Sequence, residues 1–582
     1  MKSNFEKTNC ADGMTKKKWE IRETDADIRL MASVLNVSEI TARAIANRGI
    51  RSKNAAISFL APSLEKLHDT RNLKDMDKAL ERVSAAVSAR EKIMIYGDYD
   101  ADGIMSTVIL YKTLSRLGAD CDFYMPHRID EGYGLNLSAV KKIADAGVKL
   151  LIAVDNGISA VEEVHFAATL GIQTVIIDHH EPGEILPSAV AIVDPKQPNC
   201  NYPYKELCAA GLTYKFSLAL RAADFERAER AENDEFLALA AIATLCDITP
   251  LTDENRIIVT HGLAVLNANK LINPGLGSLI TIRGYLEKQI EAYTVGFVIG
   301  PCLNATGRLE SAKLAVELLL ARADELQKRM EIAQQLVDLN DARKKLTAEC
   351  VERAMEKISG KKLPKVLVLT DFEAHESVAG IVAGRIRDKT CRPTILLTQG
   401  DGAVKGSARS VEGYNIFEAL YRNRALFQRF GGHAMAAGLT LSEENIETLC
   451  DILNAECTLS EENFVSVIRI DQELPAEKIT LALSDELARL APFGKENSEP
   501  LFVSYGLYVE NARVIAEKNT IIFSFSTKNG RRLKGIAFGL NDLYENEQKI
   551  DVVYSIETNY WNNSADVQIR IKDFKKSEPT YT

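Results

Sequence analysis

Short apolar runs alternate with amphipathic stretches between residues 91 and 195 of the chain. Four runs have the length of buried strands, namely KIMIY, KLLIAV, TVIIDHH and AVAIVDP. The segments between them, such as STVILYKTLSRLG and LSAVKKIADAG, place apolar residues at the three- and four-residue spacing of helices. Because strands alternate with helices, the pattern predicts a parallel, doubly wound sheet.

The stretches on either side of this region have helical patterns. Residues 24–90 place apolar side chains at helical spacing, which predicts a helical lead-in, and residues 205–320 are mainly helical. Residues 321–360 contain no proline and no internal glycine but many charges of both signs. This composition predicts a long solvated helix that joins two domains.

The C-terminal half combines a second α/β pattern with a β-rich pattern. KVLVLTDF and PTILLTQG predict further strands, and after APFGKENSEPLF short strands recur at even spacing, which is typical of a small barrel such as the OB-fold. The predicted fold class is α/β and multidomain, with a parallel-sheet domain, a smaller α/β domain, a long joining helix and a C-terminal β-barrel. The predicted boundaries are 1–80 for the lead-in, 81–320 for the parallel-sheet domain, 361–460 for the smaller domain and 461–582 for the barrel, with the joining helix at 321–360.

Composition narrows the class of protein. The 582 residues are 46% hydrophobic and 26% charged, as in a globular protein, and no apolar run approaches the roughly 18 residues of a membrane span. The N-terminal residues 1–20 lack the apolar segment of a secretory signal. Ten scattered cysteines without a CxxC pair indicate reduced thiols, so we expect a cytoplasmic protein without membrane association. The net charge of −10 argues mildly against nucleic acid, although a metal-binding carboxylate cluster also adds to the acidic count.

The segment IYGDYDADG places Asp98, Asp100 and Asp102 directly after a predicted strand. Carboxylates this close repel one another, which raises some of their pKa values unless a cation is bound. Oxygen ligands at alternating positions, with Gly103 allowing the backbone to turn, suit Mg²⁺ or Mn²⁺. The alternative is a solvated acidic turn that caps the next helix.

Two further predicted strands also end in potential ligands. LIAVDNG ends at Asp155, and TVIIDHH ends at Asp178, His179 and His180. Functional groups in open α/β sheets collect at the carboxyl ends of the strands. One histidine can serve as a metal ligand and its neighbour as a proton or phosphate partner, and an imidazole among carboxylates favours Mn²⁺. The alternative for a lone histidine is a hydrogen-bonded loop residue.

The motifs DYDADG, VDNG and DHH, in this order and spacing, resemble the DHH phosphoesterase superfamily. From about residue 20 to the end, the chain further resembles the RecJ family of single-stranded-DNA-specific exonucleases within it. The supporting segments are YMPHRIDEGYGL, GPCLNATGRLESA, GIVAGRI, GSARS and FGGHAMAAGLT. The resemblance implies two Mn²⁺ or Mg²⁺ ions, Asp155 as the bridging ligand and His180 beside the scissile phosphate. It implies a metal-ligand set of Asp98, Asp100, Asp102, Asp155, His179 and Asp247.

The resemblance also implies residues that hold the DNA. Arg128, Asn304 and Arg308 lie in segments that contact the terminal 5′ phosphate, and Ser407 and Arg409 match another phosphate motif. His375 is retained in a segment, residues 373–379, that otherwise departs from the family pattern by lacking its tryptophan. A surface ion pair is the alternative for each arginine.

Two other segments suggest DNA contacts by their own chemistry. Tyr133 can stack on a base or narrow the entrance, although a core tyrosine would be unremarkable. Gly431 and Gly432 let backbone amides approach a phosphate, and His433 is a candidate phosphate or sugar contact. Close helix packing is the alternative for these small residues. In the barrel, KNGRRLK, Tyr560 and Trp561 are candidate strand contacts.

The resemblance implies a metal-dependent 5′ to 3′ exonuclease that releases 5′ mononucleotides from single-stranded DNA in recombination and repair. It implies a monomer that acts beside a helicase and a single-strand-binding protein. One rival is a DHH phosphodiesterase acting on short oligonucleotides or cyclic dinucleotides, and another is a catalytically inactive scaffold. Glu496, where relatives have glycine, is a second departure from the family pattern.

Overall fold

The computed structural model describes residues 17–128, 131–224, 230–400, 402–540, 544, 547–561 and 564–577. Most of the polar N-terminal segment, residues 1–16, lies outside these ranges. Within them, no helix is both long and apolar enough to cross a membrane.

The chain forms two compact units. The smaller unit comprises Met1–Trp19, Arg308–Glu310 and Leu336–Ile468, and the larger unit comprises Glu20–Gly307, Ser311–Gln335 and Arg469–Thr582. The domain boundaries proposed from the sequence follow another division and stay predictions.

The helical lead-in begins after strand β1 (Lys17–Ile21). Its helices are α1 (Ile28–Leu35), α2 (Glu39–Ala46), α3 (Lys53–Leu60) and α4 (Met76–Ser88). Asp27, Ser38 and Ser52 precede the first three helices, and each side chain accepts a hydrogen bond from a backbone amide of the first turn. Leu35 and Phe59 share one buried core with residues of the C-terminal barrel. The lead-in is therefore part of the larger unit's packing.

A five-stranded parallel sheet forms the centre of the larger unit. Its strands are β2 (Lys92–Tyr96), β3 (Asp120–Tyr124), β4 (Leu150–Val154), β5 (Gln173–Ile177) and β6 (Ala191–Val193), in the order β3-β2-β4-β5-β6. Helices α5 (Ala101–Arg116), α6 (Leu137–Asp145) and α7 (Val161–Thr169) connect them. Every residue of β4 is buried, as expected for a strand covered on both faces. The strand order reverses between β2 and β4, which is where open α/β sheets place their ligand crevice.

Helices follow the sheet along the chain. They are α8 (Ala209–Asp224), α9 (Arg230–Cys246), α10 (Asp253–Ala268), α11 (Pro274–Ile282), α12 (Ala292–Thr294), α13 (Gly300–Leu309), α14 (Lys313–Leu320) and α15 (Leu326–Ile358). A π-helical segment, Val295–Ile299, joins α12 to α13 without a break. The 33-residue helix α15 lies within residues 321–360, where the sequence indicates a joining helix.

The smaller unit contains a mixed five-stranded sheet. Its strands are β7 (Leu367–Thr370), β8 (Thr394–Gln399), β9 (Val404–Arg409), β10 (Phe427–His433) and β11 (Ala436–Leu441), in the order β10-β11-β9-β8-β7. Its helices are α16 (Glu376–Thr390), α17 (Ile416–Arg422) and α18 (Ile446–Glu456). The FGGHAMAAG segment forms the β10–β11 hairpin, so close helix packing does not explain its glycines.

The C-terminal region is a closed barrel. Strand β12 (Ser466–Ile470) pairs with β1, and the remaining elements are β13 (Gln472–Glu473), α19 (Leu481–Ala488), β14 (Phe502–Ile515), β15 (Thr520–Ser526), β16 (Arg532–Phe538), β17 (Lys549–Trp561) and β18 (Ser564–Lys576). The order β14-β15-β16-β18-β17 closes because β14 also pairs with β17. Alternate residues such as Ile521, Phe523 and Phe525 fill its core. The predicted fold class, α/β and multidomain with a C-terminal barrel, is confirmed.

Candidate metal centre

The loop after β2 contains the three aspartates of the DYDADG motif. Asp100 is the N-cap of α5, where its carboxylate accepts hydrogen bonds from the amides of Asp102 at 2.9 Å and Gly103 at 3.3 Å. Asp98 is only 2% exposed, and its Oδ1 has no hydrogen-bond partner among the described residues. A buried carboxylate oxygen without a partner is costly, so this atom indicates a missing ligand. The helix-cap interpretation holds for Asp100 and does not account for Asp98.

Two neighbours fix the shape of this loop. A Cβ on Gly103 would lie 2.5 Å from the carbonyl oxygen and 2.6 Å from the nitrogen of Asp98. Gly103 therefore has a different role from the backbone turn expected from the sequence: it lets the first turn of α5 pack against Asp98. From α13, the side-chain oxygen of Asn304 accepts a hydrogen bond from the amide of Ala101 at 2.7 Å. Asn304 thus holds the loop from outside the motif.

Asp102 faces the beginning of α8. Its two carboxylate oxygens accept hydrogen bonds from the amides of Ala209 and Ala210, each at 2.8 Å. The amino end of a helix carries a partial positive charge, which stabilises a carboxylate there. Helix α8 therefore orients Asp102 and partly offsets its negative charge.

Asp155 follows β4 in an uncommon backbone conformation. Its φ of 63° lies in the left-handed region, which costs energy for a residue with a side chain. The amide donates a hydrogen bond to the carbonyl of Ile177 at 3.0 Å, and the carbonyl accepts one from the Tyr133 hydroxyl at 3.1 Å. These contacts hold the strained residue at the point where the strand order reverses.

His179 lies at the centre of the acidic residues. Its Nε2 is 3.2 Å from an oxygen of Asp155, 3.6 Å from one of Asp102 and 3.9 Å from one of Asp247. Asp247 immediately follows α9, so a helix end completes a cluster that otherwise comes from strand ends.

Three groups of side chains could each hold a cation. In each group the ligand atoms lie within 4.8 Å of one another, and the groups are Asp98–Asp100–Asp155, Asp102–His179–Asp247 and Asp155–His179–His180. Asp155 and His179 each belong to two of them, and of these two only the carboxylate has two oxygens with which to reach two ions. Carboxylates with one imidazole suit Mn²⁺ or Mg²⁺, so the residues fit the ions that the sequence indicates.

Burial and mutual repulsion raise the pKa values of this cluster. Burial, and then the neighbouring Asp100, raise the pKa of Asp98 well above its usual value and that of Asp102 to about 6. Burial and the other carboxylates likewise raise the pKa of Asp155, and burial and Asp102 raise that of Asp247 to about 7. These carboxylates cannot all be ionised at neutral pH unless cations offset their charge.

His180 is oriented by Asp178, a strand-end residue that lies outside the expected metal-ligand set. One carboxylate oxygen of Asp178 accepts hydrogen bonds from His180 Nδ1 and from the His179 amide, each at 2.7 Å. The other oxygen accepts from the Ile158 amide at 2.9 Å. Burial would lower the pKa of His180, but the hydrogen bond with Asp178 raises it to about 9. The position of Asp178 as the first residue of the DHH motif was the sequence feature that could have identified this role.

Tyr133 and Arg128 lie beside this histidine. The Tyr133 hydroxyl is 3.1 Å from His180 Nδ1 and 3.2 Å from Nε2, and its ring is largely exposed. The rings of Tyr133 and Tyr99 meet edge to face at 6.4 Å, and the Arg128 guanidinium lies 4.9 Å from the Tyr99 ring centre. The structure thus brings the predicted Arg128 and Tyr133 to the His180 side of the metal centre.

The remaining predicted residues belong to the smaller unit. Arg308 donates a hydrogen bond to the carbonyl of Ser377 at 2.8 Å. His375 is the N-cap of α16, and its Nδ1 is 2.6 Å from the Ser377 hydroxyl oxygen. Arg308 and His375 therefore meet at the amino end of α16.

Ser407, Arg409 and the glycines of β10 share one region of the mixed sheet. The register pairs Gly431 with Gly438 and Gly438 with Ser407, so the three residues form a row across the strands. Arg409 donates a hydrogen bond to the Ser407 hydroxyl at 3.2 Å, and His433 and Arg409 share the row two positions along the strands.

The two glycines of β10 differ in their surroundings. A Cβ on Gly432 would strike the Ala436 carbonyl, so this glycine is required by the hairpin itself. A Cβ on Gly431 would have no neighbour within 4 Å. Packing among the described residues therefore does not require a glycine at this position.

Glu496 lies in a loop that packs against the helical part of the larger unit. Its φ of 60° is in the left-handed region, which glycine adopts more readily than a residue with a side chain. The carbonyl of the preceding Lys495 accepts a hydrogen bond from the Leu251 amide at 2.9 Å. The structure therefore gives this loop a packing role.

Three family models match consecutive parts of the chain. The model described as the DHH family, N-terminal domain, matches residues 92–244, the DHHA1 domain matches residues 363–458, and the RecJ OB domain matches residues 470–573.

Individual relatives are similar over most of the chain. The single-stranded-DNA-specific exonuclease RecJ of Bacillus subtilis (strain 168) is 38% identical over 573 residues, which cover 97% of this chain and 71% of the relative. The crystal structure of RecJ from Thermus thermophilus in complex with Mn²⁺ has a TM-score of 0.82 and 29% identity, and covers 97% of this chain and 80% of its own. The corresponding complex with Mg²⁺ has a TM-score of 0.77 and 28% identity, over 97% of this chain and 79% of its own.

Proposed function

The chain belongs to the RecJ family of single-stranded-DNA-specific exonucleases, and from that premise we propose that it hydrolyses single-stranded DNA from the 5′ end. The proposed products are 5′ mononucleotides, and the proposed setting is DNA recombination and repair. The observation that carries the proposal is the arrangement of His179 among Asp102, Asp155 and Asp247, beside the Asp98 oxygen that lacks a partner among the described residues.

The metal ligands are proposed to be the carboxylates of Asp98, Asp100, Asp102, Asp155 and Asp247 together with His179, with Asp155 shared between two ions. Mn²⁺ or Mg²⁺ held there would neutralise charge on the scissile phosphate and lower the pKa of a water so that it can attack phosphorus. The family's Mn²⁺- and Mg²⁺-bound structures from Thermus thermophilus support this choice of ion.

His180 is proposed to bind the scissile phosphate. Its Nδ1–H donates to Asp178, which leaves Nε2 to donate to a phosphate oxygen. Because Asp178 raises the pKa of His180 to about 9 against the effect of burial, the imidazole carries a positive charge at neutral pH. A cationic donor pairs more strongly with a phosphate than a neutral one.

The 5′ phosphate is proposed to bind to arginines. Guanidinium groups pair bidentately with phosphate, and Arg128 lies on the His180 side of the metal centre. Arg308, Ser407 and Arg409 are proposed as phosphate contacts of the smaller unit, with His375, Gly431, Gly432 and His433 around them. Asn304 is proposed to act on the substrate through its side-chain NH₂ group while its oxygen holds the metal loop.

The barrel is proposed to track the single strand. OB-folds grip single strands with basic and aromatic side chains, and the Tyr560 ring is largely exposed. The neighbouring Trp561 side chain lies outside the described residues. We further propose a cytoplasmic monomer that acts beside a helicase and a single-strand-binding protein.

The rival functions predict different products. A phosphodiesterase for short oligonucleotides or cyclic dinucleotides would not need a strand-binding barrel, and the chain has one. An inactive scaffold would not need a full set of ligands, and every proposed position carries a competent one.

The decisive experiment incubates the purified chain and Mn²⁺ with single strands labelled at either end. The proposal predicts early release of mononucleotides from the 5′ label and slow loss of the 3′ label. Intact strands alongside hydrolysed dinucleotides would support the first rival, and no hydrolysis of any substrate would support the second.

The matched variants are Asp155→Ala and Asp145→Ala. Asp155→Ala should abolish turnover and leave strand binding measurable, because it removes the shared ligand. Asp145 is an exposed aspartate at the end of α6 and should tolerate alanine. Substantial activity in Asp155→Ala would show that the shared ligand has been misplaced.

A further inference from the structure

Two aromatic rings are stacked on the surface of the larger unit. Tyr293 is 64% exposed and Phe297 is 65% exposed. Their ring centres are 4.7 Å apart and their planes differ by 23°. Single exposed apolar side chains are ordinary. A stacked pair with both rings open to solvent instead presents a flat apolar face on which a further ring can stack.

The pair lies on the helix that also holds the metal loop. Residues 292–309 form one continuous helical stretch, of which positions 293, 296, 297, 301 and 304 are at least partly exposed while most positions between them are buried. This spacing places them along one side. Asn304, at the far end of that side, accepts the hydrogen bond from Ala101 in the metal loop.

The helix gives the distance between the rings and the metal loop. At the α-helical rise of about 1.5 Å per residue, which the π-helical segment Val295–Ile299 makes an upper limit, Phe297 lies about 10 Å and Tyr293 about 16 Å along the axis from Asn304. A stacked strand advances ~3.4 Å per nucleotide, so this span corresponds to about three to five nucleotides.

Charged side chains of both signs lie near the outer end of the pair. Glu291, two residues before Tyr293, interacts electrostatically with Arg570 on barrel strand β18; burial lowers the pKa of Arg570, and Glu499, Glu557 and Glu291 together raise it. Arg570 and Lys572, on the same side of β18, are partly exposed and share the carboxylate Glu499. The outer end of the pair thus carries both cations and carboxylates, so the rings and not a net positive charge are the feature that a single strand would use.

The size of the pair fits nucleobases better than a protein partner. Two aromatic rings supply roughly 300–500 Å² of contact surface at most. A stable protein interface buries about 800 Å² on each partner. Base–aromatic stacking needs only a free ring face and accepts every base, as an exonuclease without sequence preference requires.

We propose that Tyr293 and Phe297 form a base-stacking platform for the single strand that leads to the metal centre. The bases concerned are about the third to the fifth from the reacting 5′ end. The inference rests on the proposed function, because it assumes that the strand enters this metal centre.

The first test compares substrates of different length. Tyr293→Ala/Phe297→Ala should raise KM for a 20-nucleotide oligo-dT by about 5-fold or more for each lost stack. The same variant should leave turnover of a dinucleotide nearly unchanged, because a dinucleotide is too short to reach either ring. Tyr293→Leu/Phe297→Leu keeps apolar area and helix propensity but should show the same loss. Leu30→Ala, on helix α1 and 61% exposed, is the matched control and should change neither substrate.

The second test measures Kd for the strand in the Asp155→Ala background, where no turnover occurs. Abasic sites at nucleotides three to five should weaken binding to the otherwise unaltered chain by the same factor as the ring substitutions. The ring variant should lose nothing further with the abasic strand. The platform would be wrong if the abasic sites weakened strand binding equally in the ring variant and in the chain with both rings. It would also be wrong if the leucine variant bound the strand with full affinity.

These outcomes separate the platform from the proposed function. If the unaltered chain hydrolyses no single strand, the proposed function fails. If it releases 5′ nucleotides and the ring variant matches it on every substrate, the function stands and the platform is wrong. In that case the exposed rings would be a contact for a protein partner.

Discussion

Gly103→Ala tests whether the packing of α5 against Asp98 sets the geometry of the metal centre. The added Cβ would lie 2.5–2.7 Å from the Asp98 backbone, whereas ordinary Cβ contacts begin at 3.4 Å. Asp98 or the first turn of α5 must therefore move by 0.7–0.9 Å, the difference between 3.4 and 2.5–2.7 Å. Asp98 and Asp100 both belong to the cluster completed by Asp155, so the displacement acts directly on candidate ligands.

Helix propensity and overpacking change the stability of Gly103→Ala in opposite directions, and the displacement of the ligands changes its activity. Alanine in place of glycine favours a helix by about 1 kcal/mol, and overpacking costs about 1–3 kcal/mol. The free energy of unfolding should thus fall by about 0–2 kcal/mol. A misplacement of ~1 Å near reacting groups costs about 100-fold in rate, so kcat should fall by that order.

The assay is mononucleotide release from single-stranded DNA at saturating Mn²⁺, with the melting temperature measured in parallel. Gly384→Ala in α16 is the matched control, because its Cβ would meet only Arg409 Cγ at an ordinary 3.9 Å. It should keep the activity and gain helix stability. A Gly103→Ala protein with at least half of the original kcat would show that the Asp98 loop adjusts without cost and would refute the reasoning.

Three other predictions concern charge and backbone strain. Asp178→Asn should lower kcat by about 10- to 100-fold. The loss should be larger at pH 8 than at pH 6: once the Asp178 carboxylate is gone, the burial of His180 lowers its pKa from about 9, and the imidazole loses its charge at the higher pH. Parallel kcat–pH profiles of the two proteins would contradict this prediction. The metal-free protein should lose melting temperature between about pH 4 and pH 7, since folding raises the pKa values of Asp102 and Asp247 from 3.8 to about 6 and 7, and the folded state keeps protons that the unfolded chain releases in this range. Asp247→Asn should reduce that loss, and an unchanged slope would count against the cluster. Glu496→Gly should raise the free energy of unfolding by about 0–1.5 kcal/mol, because relief of ~1–2 kcal/mol of left-handed strain outweighs the ~0.5–1 kcal/mol entropic cost of glycine; a lower free energy of unfolding in urea would contradict it.

The sheet and its strand-end residues could be predicted from the sequence because both depend on local pattern. Buried parallel strands are short apolar runs, and the residue after each run lies at the same edge of the sheet. Asp155 and His179 are therefore 3.2 Å apart although 24 positions separate them in the chain.

What the sequence analysis missed depends on contacts between distant segments. The hydrogen bonds from Ala209 and Ala210 to Asp102, and from Ala101 to Asn304, join helices that no periodicity relates to the DYDADG loop. The β10–β11 hairpin was equally hidden, because glycine and alanine have low strand propensity and only pairing with β9 fixes them as strands.

The two interpretations of the DYDADG motif, helix cap and metal site, turn out to be physically connected. Asp100 caps α5, and the beginning of α8 donates two amides to Asp102, so two helix dipoles point their positive ends at the acidic cluster. Each contact lowers the cost of an ionised carboxylate before any cation binds. Asp98 has no such donor on its Oδ1 among the described residues, and burial and then Asp100 raise its pKa well above the usual value. Burial and then Asp102 likewise raise the pKa of Asp155 well above the usual value. The helices therefore prepare one side of the cluster for charge, and the side around Asp98 and Asp155 depends most on the cations themselves.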